Sequence, residues 1–289
     1  AQKNACLQAF GLALRQGADS ILAAAREDAA HARAHGAPTH AIEPGVAGRV
    51  WQSLGRTLPR PRAILMASAH WETALPMLTG SARPQTIHDF AGFPAELYAL
   101  QYPAPGAPEL AAEAVALLRR AGITAGVDGC RGLDHGAWVP LLHMYPAHDV
   151  PVVQISLQTE MGPAHHVALG RALAPLAADG VLIVGSGHAT HNLRDWMANR
   201  HRREPLRYVQ AFAEWLDARL AAGDTAALVD YRERAPDAER AHPTDEHFLP
   251  LHVAWGAAGE GARAERIVHA VEAGALAMDA WAFHRGSDP

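Results

Sequence analysis

Gly185-Ser186-Gly187-His188-Ala189-Thr190-His191-Asn192-Leu193 follows directly on Val181-Leu182-Ile183-Val184. The apolar run is short, largely β-branched and stops at glycine, which reads as a buried parallel strand. Two glycines allow a tight turn there, so imidazoles arrive just beyond the strand's carboxyl end. Open α/β sheets build their sites along that edge. Ala63-Ile64-Leu65-Met66-Ala67-Ser68-Ala69 has the same form and runs into His70-Trp71-Glu72. Two strands that both deliver histidine point to one site fed by several strands.

Outward from these two runs, strands alternate with helices. Val46 to Leu58 has apolar residues at helical spacing, stopped by Pro59 and Pro61. Pro108 to Ala121 begins with Pro and Glu and ends at Gly122, a helix with ordinary start and stop signals. Ile123–Val127 and Val150–Leu157 read as strands, and Pro163–Ala178 and Pro205–Ala221 as helices. Gly132 to Trp138 is a turn before a further helical piece, and Asp245–Ala258 is helical with Pro250 inside its first turns. Asp230–Ala241 is polar, and a short element over Ile267–Ala275 precedes the closing Leu276–Phe283 run. The expectation is a single α/β domain with a mostly parallel central sheet flanked by helices. Residues 1–34 are Ala-rich and carry no strand pattern, so they form an irregular or helical extension ahead of a domain spanning 35–289.

Bulk properties exclude several classes. Hydrophobic residues make up 49% of the 289 and charged residues 19%, enough apolar sequence for a substantial core. A net charge of −5 gives no basic field for nucleic acid. No apolar run approaches the ~20 residues that span a bilayer. Cys6 and Cys130 are too few for a disulfide framework or a cysteine zinc site, which suggests a reducing compartment. Arg15 and Asp19 interrupt any secretory h-region, so a cytoplasmic location is expected.

The 18 histidines stand out against 25 Lys and Arg. Histidine is the commonest metal ligand and titrates near neutrality. His35, His70, His135, His191 and His247 each sit beside Gly or Pro or at a strand end, and His242 and His247 flank Pro-Thr-Asp-Glu. Taken singly, each reads as an exposed or hydrogen-bonded histidine. There is no His-Glu-x-x-His, no Gly-x-Ser-x-Gly elbow, and no P-loop Lys after Gly185-Ser186-Gly187. The residues alone stop at a histidine-rich metal or acid/base site on an α/β sheet.

Ordered motifs carry the reading further. They are His35-Gly36-Ala37-Pro38 with Glu43-Pro44-Gly45, Ser68-Ala69-His70-Trp71-Glu72-Thr73, and Ile87-His88-Asp89-Phe90 with Gly92-Phe93-Pro94. Tyr102-Pro103-Ala104-Pro105-Gly106, Gly132-Leu133-Asp134-His135-Gly136 and Thr190-His191-Asn192-Leu193 follow. His242-Pro243-Thr244-Asp245-Glu246-His247 with Leu249-Pro250-Leu251, and Met278-Asp279-Ala280, complete the set. Together they resemble the DOPA-dioxygenase type of class III extradiol ring-opening dioxygenases, over about residue 35 to the end.

The resemblance implies a cytoplasmic enzyme that opens the ring of a small catecholic substrate with O2. It puts the metal ligands on His35, His70 and His247, and the catalytic acid/base on His191. It puts substrate contacts on His135. Phe93 lies in the aromatic loop 87–106, which reads as a wall of the substrate pocket. Fe(II) is the expected metal, and an all-imidazole set also suits Zn(II). His188 matches no position of the family pattern. Asp28 to Ala34, where relatives run a hydrophobic strand into the first histidine, makes a poor strand here. A zinc-binding hydrolase and a non-catalytic metal-binding protein on the same fold remain the alternatives.

Overall fold

The computed structural model describes residues 37–285. The Ala-rich extension 1–34 and His35 lie outside the described residues. Five strands form the main sheet: β1 (Ala63–Glu72), β2 (Met77–Thr79), β3 (Gly126–Asp128), β4 (Val152–Leu157) and β5 (Val181–Ser186). Their spatial order is β3-β2-β4-β1-β5. β1 runs parallel to β4 on one side and to β5 on the other, and β2 is parallel to β3. The Leu78–Ile155 pairing between β2 and β4 is antiparallel, so the sheet is mostly parallel, as expected.

β1 is the centre of the molecule. Ala63 to Ala69 are all buried, because helices cover both faces and a solvent-facing alternation has no place. Six helices of ten residues or more occur among the described residues. They are α1 (Gly45–Thr57), α2 (Pro108–Arg120), α3 (His135–Met144), α4 (Gly162–Ala178), α5 (Arg207–Ala221) and α6 (Leu249–Ala258). Leu65 and Ala67 of β1 point with Val153 and Ile155 of β4 toward α2, α4 and α6. Ile64 and Met66 point the other way, toward α1, α3 and the buried Tyr102. α5 packs beyond α6 in a third cluster around Phe212, Tyr231, Phe248 and Trp255.

Several expectations needed correcting. β1 extends through His70 to Glu72, so His70 stands on the strand rather than past its end. β2 is only three residues long, too short for a period to show. The C-terminal segment forms an antiparallel pair, β6 (Arg263–Val268) with β9 (Ala280–His284), with β7 (Val271–Glu272) and β8 (Leu276–Ala277) inside it. Pro250 sits in the first turn of α6, where its missing N–H costs nothing. The polar Asp230–Ala241 stretch hides Tyr231 completely, because short helices there turn one face onto the Phe212 cluster.

The two glycines after Val184 act differently from the tight turn anticipated. Gly185 lies within β5, and neither it nor Gly187 takes a positive φ. Both permit close approach. A Cβ on Gly185 would stand 2.2 Å from the Pro250 carbonyl oxygen, and one on Gly187 would stand 2.2 Å from that of His247. The end of β5 is thereby pressed against the entrance of α6.

Candidate functional site

The segment after β5 is held on every side. The His188 N–H donates to the His247 carbonyl at 2.9 Å, and the His191 N–H to the Ala241 carbonyl at 2.8 Å. Thr190 Oγ1 donates to the Ala275 carbonyl at 2.8 Å and accepts from the Ala277 N–H at 2.9 Å. Asn192 accepts from the Asp195 N–H, capping the short Leu193–Ala198 helix, and donates to the Arg240 carbonyl. In Thr190-His191-Asn192 the two flanking side chains are committed to the backbone, which leaves the His191 ring to face the cavity.

Four sequence-derived site residues come together here. The His191 and His247 rings stack with centroids 3.4 Å apart and an interplanar angle of 11°. The His70 ring meets His247 edge-on at 5.1 Å. His135, the first residue of α3, lies with its ring centroid 3.9 Å from that of His70. Gly136 makes that approach possible, since a Cβ there would stand 2.3 Å from Ser68 Oγ and 2.9 Å from His70 Cδ2. Under this pair, the buried Asp134 accepts from Ser68 Oγ at 2.7 Å and from Gln154 Nε2 at 2.8 Å, tying β1, β4 and α3 together. His35 lies outside the described residues.

Carboxylates stand behind the imidazoles. Asp89 Oδ2 is 2.9 Å from His135 Nδ1 and 3.6 Å from His70 Nδ1, while its Oδ1 accepts the His135 main-chain N–H at 2.9 Å. Burial works against the Asp89 charge, but His135 outweighs it through ring and main chain and holds the carboxyl below its ordinary value. Glu246 Oε1 accepts from His247 Nδ1 at 2.9 Å and from Thr244 Oγ1 at 2.9 Å. Those bonds overcome desolvation and lower the Glu246 carboxyl to about 2. A carboxylate on Nδ1 keeps the proton there and leaves Nε2 of His247 as a free lone pair. Burial, then the neighbouring imidazoles, lowers His70 to about 3 and His191 to about 2, so both are neutral donors.

The donor set fits a divalent metal. The ligand nitrogens of His188, His191 and His247 all lie within 4.8 Å of one another, as do the ligand atoms of His70, Asp89 and His135. Neutral imidazoles with carboxylate-fixed tautomers are the usual surroundings of such an ion.

The 87–106 loop closes the same side. Trp138 Nε1 donates to the Ile87 carbonyl at 2.9 Å, and His88 Nε2 lies 3.0 Å from the Leu100 carbonyl oxygen. Phe90 then stands edge-on to His135 at 5.6 Å, and Phe93 packs on Phe90 at 5.4 Å. Phe93 thus reaches the site through Phe90. Tyr102, from the same loop, is wholly buried in the core. Phe90 belongs to the aromatic wall expected of the 87–106 loop, whereas the sequence assigns no role to Asp89 or Glu246: Glu246 adjoins His247 in the chain, but Asp89 meets His135 across 46 residues. His242 is not part of the cluster. It lies fully buried beside Phe212 and Phe248, with Nε2 2.8 Å from the Ala189 carbonyl oxygen.

A family described as the catalytic LigB subunit of aromatic ring-opening dioxygenase matches residues 47–276. A Beta vulgaris protein named 4,5-DOPA dioxygenase extradiol is 43% identical over 253 residues, covering 86% of this chain and 94% of that protein. An Escherichia coli (strain K12) protein of the same name is 40% identical over 250 residues, 84% of this chain and 90% of its own. The crystal structure of an uncharacterized Escherichia coli K12 protein matches with a TM-score of 0.69 and 36% identity, over 81% of this chain and 91% of that one. With the fold, the ordered motifs and these relatives in agreement, the chain belongs to the DOPA-dioxygenase type of the extradiol aromatic ring-opening dioxygenases.

Proposed function

We propose that the protein is a metal-dependent dioxygenase that opens the ring of a catecholic substrate outside the diol, placing both atoms of O2 in the product. One observation supports this: the His247 ring, just before α6, stacks on His191, which follows β5, and meets His70 of β1 edge-on at 5.1 Å. In this reading His70 and His247 hold the ion together with His35. When bound, Fe(II) supplies a redox-active Lewis acid that holds the catechol oxygens and O2 side by side, whereas Zn(II) on the same nitrogens supplies no redox step.

The protein side of the chemistry follows from the described residues. His191 lies against His247, and in this reading it accepts the proton of a catechol hydroxyl and returns it as the ring opens to a muconic semialdehyde. Asp89 and Glu246 orient the imidazoles that must not turn. His135 and Phe90 face the ring of the substrate from the α3 side, with Phe93 behind them. DOPA heads the substrate panel because the relatives' names carry it.

The test is anaerobic reconstitution with Fe(II), followed by O2 uptake with a catechol panel that includes DOPA. One O2 consumed per product, with two oxygen atoms gained, is the expected result. A folded protein that binds iron stoichiometrically yet consumes no O2 with any catechol overturns the catalytic reading and favours the hydrolase or binding-protein alternatives.

A further inference from the structure

We propose that His188 is a further metal-ligating imidazole of this chain, presenting a nitrogen to the ion beside His247, with the acid/base His191 next to both. The inference rests on the metal site of the proposed function and adds to it a residue outside the family motifs.

Position comes first. The missing side chain of Gly187 lets the backbone press onto the His247 carbonyl, and the His188 N–H donates to that same oxygen at 2.9 Å. His188 and His247 are thus fixed as neighbours by main chain rather than by side-chain chance. The His188 ring lies 5.1 Å from that of His191 and 5.6 Å from that of His247, centroid to centroid. Their ligand nitrogens fall within 4.8 Å of one another. A tetrahedral ion with nitrogens at ~2.0–2.1 Å needs them about 3.4 Å apart.

Bonding comes second. A neutral imidazole has one donor and one acceptor to satisfy. Both nitrogens of His188 are inaccessible to solvent, and neither has a hydrogen-bond partner among the described residues. Three wholly buried histidines each have at least one ring nitrogen bonded, although His242 Nδ1 has no hydrogen-bond partner among the described residues. His166 Nδ1 is 2.7 Å from the Gly162 carbonyl oxygen and its Nε2 accepts the Gln158 N–H. His242 and His252 each place Nε2 on a main-chain carbonyl. A packing histidine would be expected to resemble these, because an unsatisfied buried polar atom costs its full desolvation. A proton relay would need a hydrogen-bonded neighbour, and His188 has none. A cation held beside His247 is the partner its lone pair lacks.

Co(II) binding and its visible absorption test this on the apoprotein, with His247→Ala as control and thermal melts of each metal-free variant. Wild type takes up one Co(II), and His247→Ala takes up none. His188→Ala is expected to weaken binding by more than about 100-fold, beyond the 10–100-fold loss typical of a residue that only supports a ligand, and to move the Co(II) bands. His188→Gln, which keeps a polar side chain but no imidazole, behaves as Ala does. Wild type that takes up no Co(II) overturns the metal reading as a whole. Wild type that binds, with both His188 variants matching it in affinity and spectrum, overturns the His188 inference and leaves the proposed function standing. If both variants lose their apo melting transition, His188 is a core residue and the inference is likewise overturned.

Discussion

Two groups of histidines in this molecule differ in exposure and in bonding: His166, His242 and His252 are wholly buried, whereas His70, His188 and His191 are half-buried. In the helical body, His166, His242 and His252 each reach a main-chain carbonyl and sit among core side chains such as Phe212 and Phe248. At the ends of β1 and β5, His70, His188, His191 and His247 pack against one another, and their nitrogens meet carboxylates or nothing. Exposure separates a structural imidazole from a reactive one only in part, since His247 is itself buried. A further separating property is whether the ring reaches a main-chain carbonyl, as His166, His242 and His252 do.

The sharpest break between the groups is loss of metal. His70→Ala or His247→Ala should abolish metal binding, measured as stoichiometry after dialysis, and activity with it. His191→Ala should keep the metal and lose roughly 10²–10⁴-fold in rate, the usual contribution of an acid/base group. Loss of stoichiometric metal in His191→Ala would reassign His191 as a ligand. In the other group the sign reverses. His242→Ala leaves a cavity beside Phe248 and an unmet Ala189 carbonyl, so it should cost about 3 kcal/mol of stability in chemical denaturation. The metal-loaded fraction that remains folded should keep its metal.

The same difference marks what the sequence disclosed. The buried parallel strands β1, β4 and β5 were legible because a run such as Ala63–Ala69 has no polar residue to interrupt it. The three-residue β2 and the β6–β9 pair were not, since the first is too short for any period and the second mixes Arg, Glu and His into a half-buried ribbon. His70, His135, His191 and His247 were legible from motif order. The sequence could not say that His242, five residues before His247, belongs to the core, because that depends on Phe212 and Tyr231 folding over it. Nor could Gly187 reveal its purpose, which lies in a carbonyl sixty residues further along the chain.

Carboxylate support gives a smaller contrast. Glu246→Gln keeps the size of the side chain but weakens the grip on His247 Nδ1, and should lower metal affinity about 10–100-fold with the stability of the apoprotein little changed. A competition titration against a chelator reads it. Unaltered affinity would mean that packing against His191, rather than Glu246, orients the ring.

Acid should find the helical-body group even without metal. Burial lowers His166 to about 4 and His242 to about 3, and also lowers His252. Below the unfolded value near 6.5, the unfolded chain binds protons that the native chain does not, so stability falls as pH falls. Each such imidazole contributes a slope of about 1.4 kcal/mol per pH unit between that value and its folded one. His40 runs the other way. Burial opposes its charge, but Glu272, 3.0 Å from Nε2, and nearby backbone groups raise it, so its contribution is present below ~6.5 and lost as pH rises through its folded value. Denaturation of the apoprotein from about pH 7.5 to 5 should show a net decline, shallower in His242→Ala by about one proton's slope. An equal slope in both would show that His242 is protonated in the native state.

The aromatic residues repeat the contrast at its weakest. Phe212 is fully buried among Tyr231, His242 and Phe248, whereas Phe93 is half-buried on the 87–106 loop and touches Phe90, which in turn faces His135. Truncating Phe212 should cost a core-like ~3–5 kcal/mol and leave substrate preference alone. Truncating Phe93 removes a support for Phe90 at the edge of the site, so Phe93→Ala should raise KM or shift preference among catechols while costing under ~1 kcal/mol of stability. A change in the slack available to Phe90 acts on how a substrate ring is held, not on how the domain folds, and bulky catechols should lose least because they fill the space vacated. Kinetics across the catechol panel beside a thermal melt decide it: unchanged preference with a large fall in Tm would make Phe93 a packing residue like Phe212 and end its role as a wall.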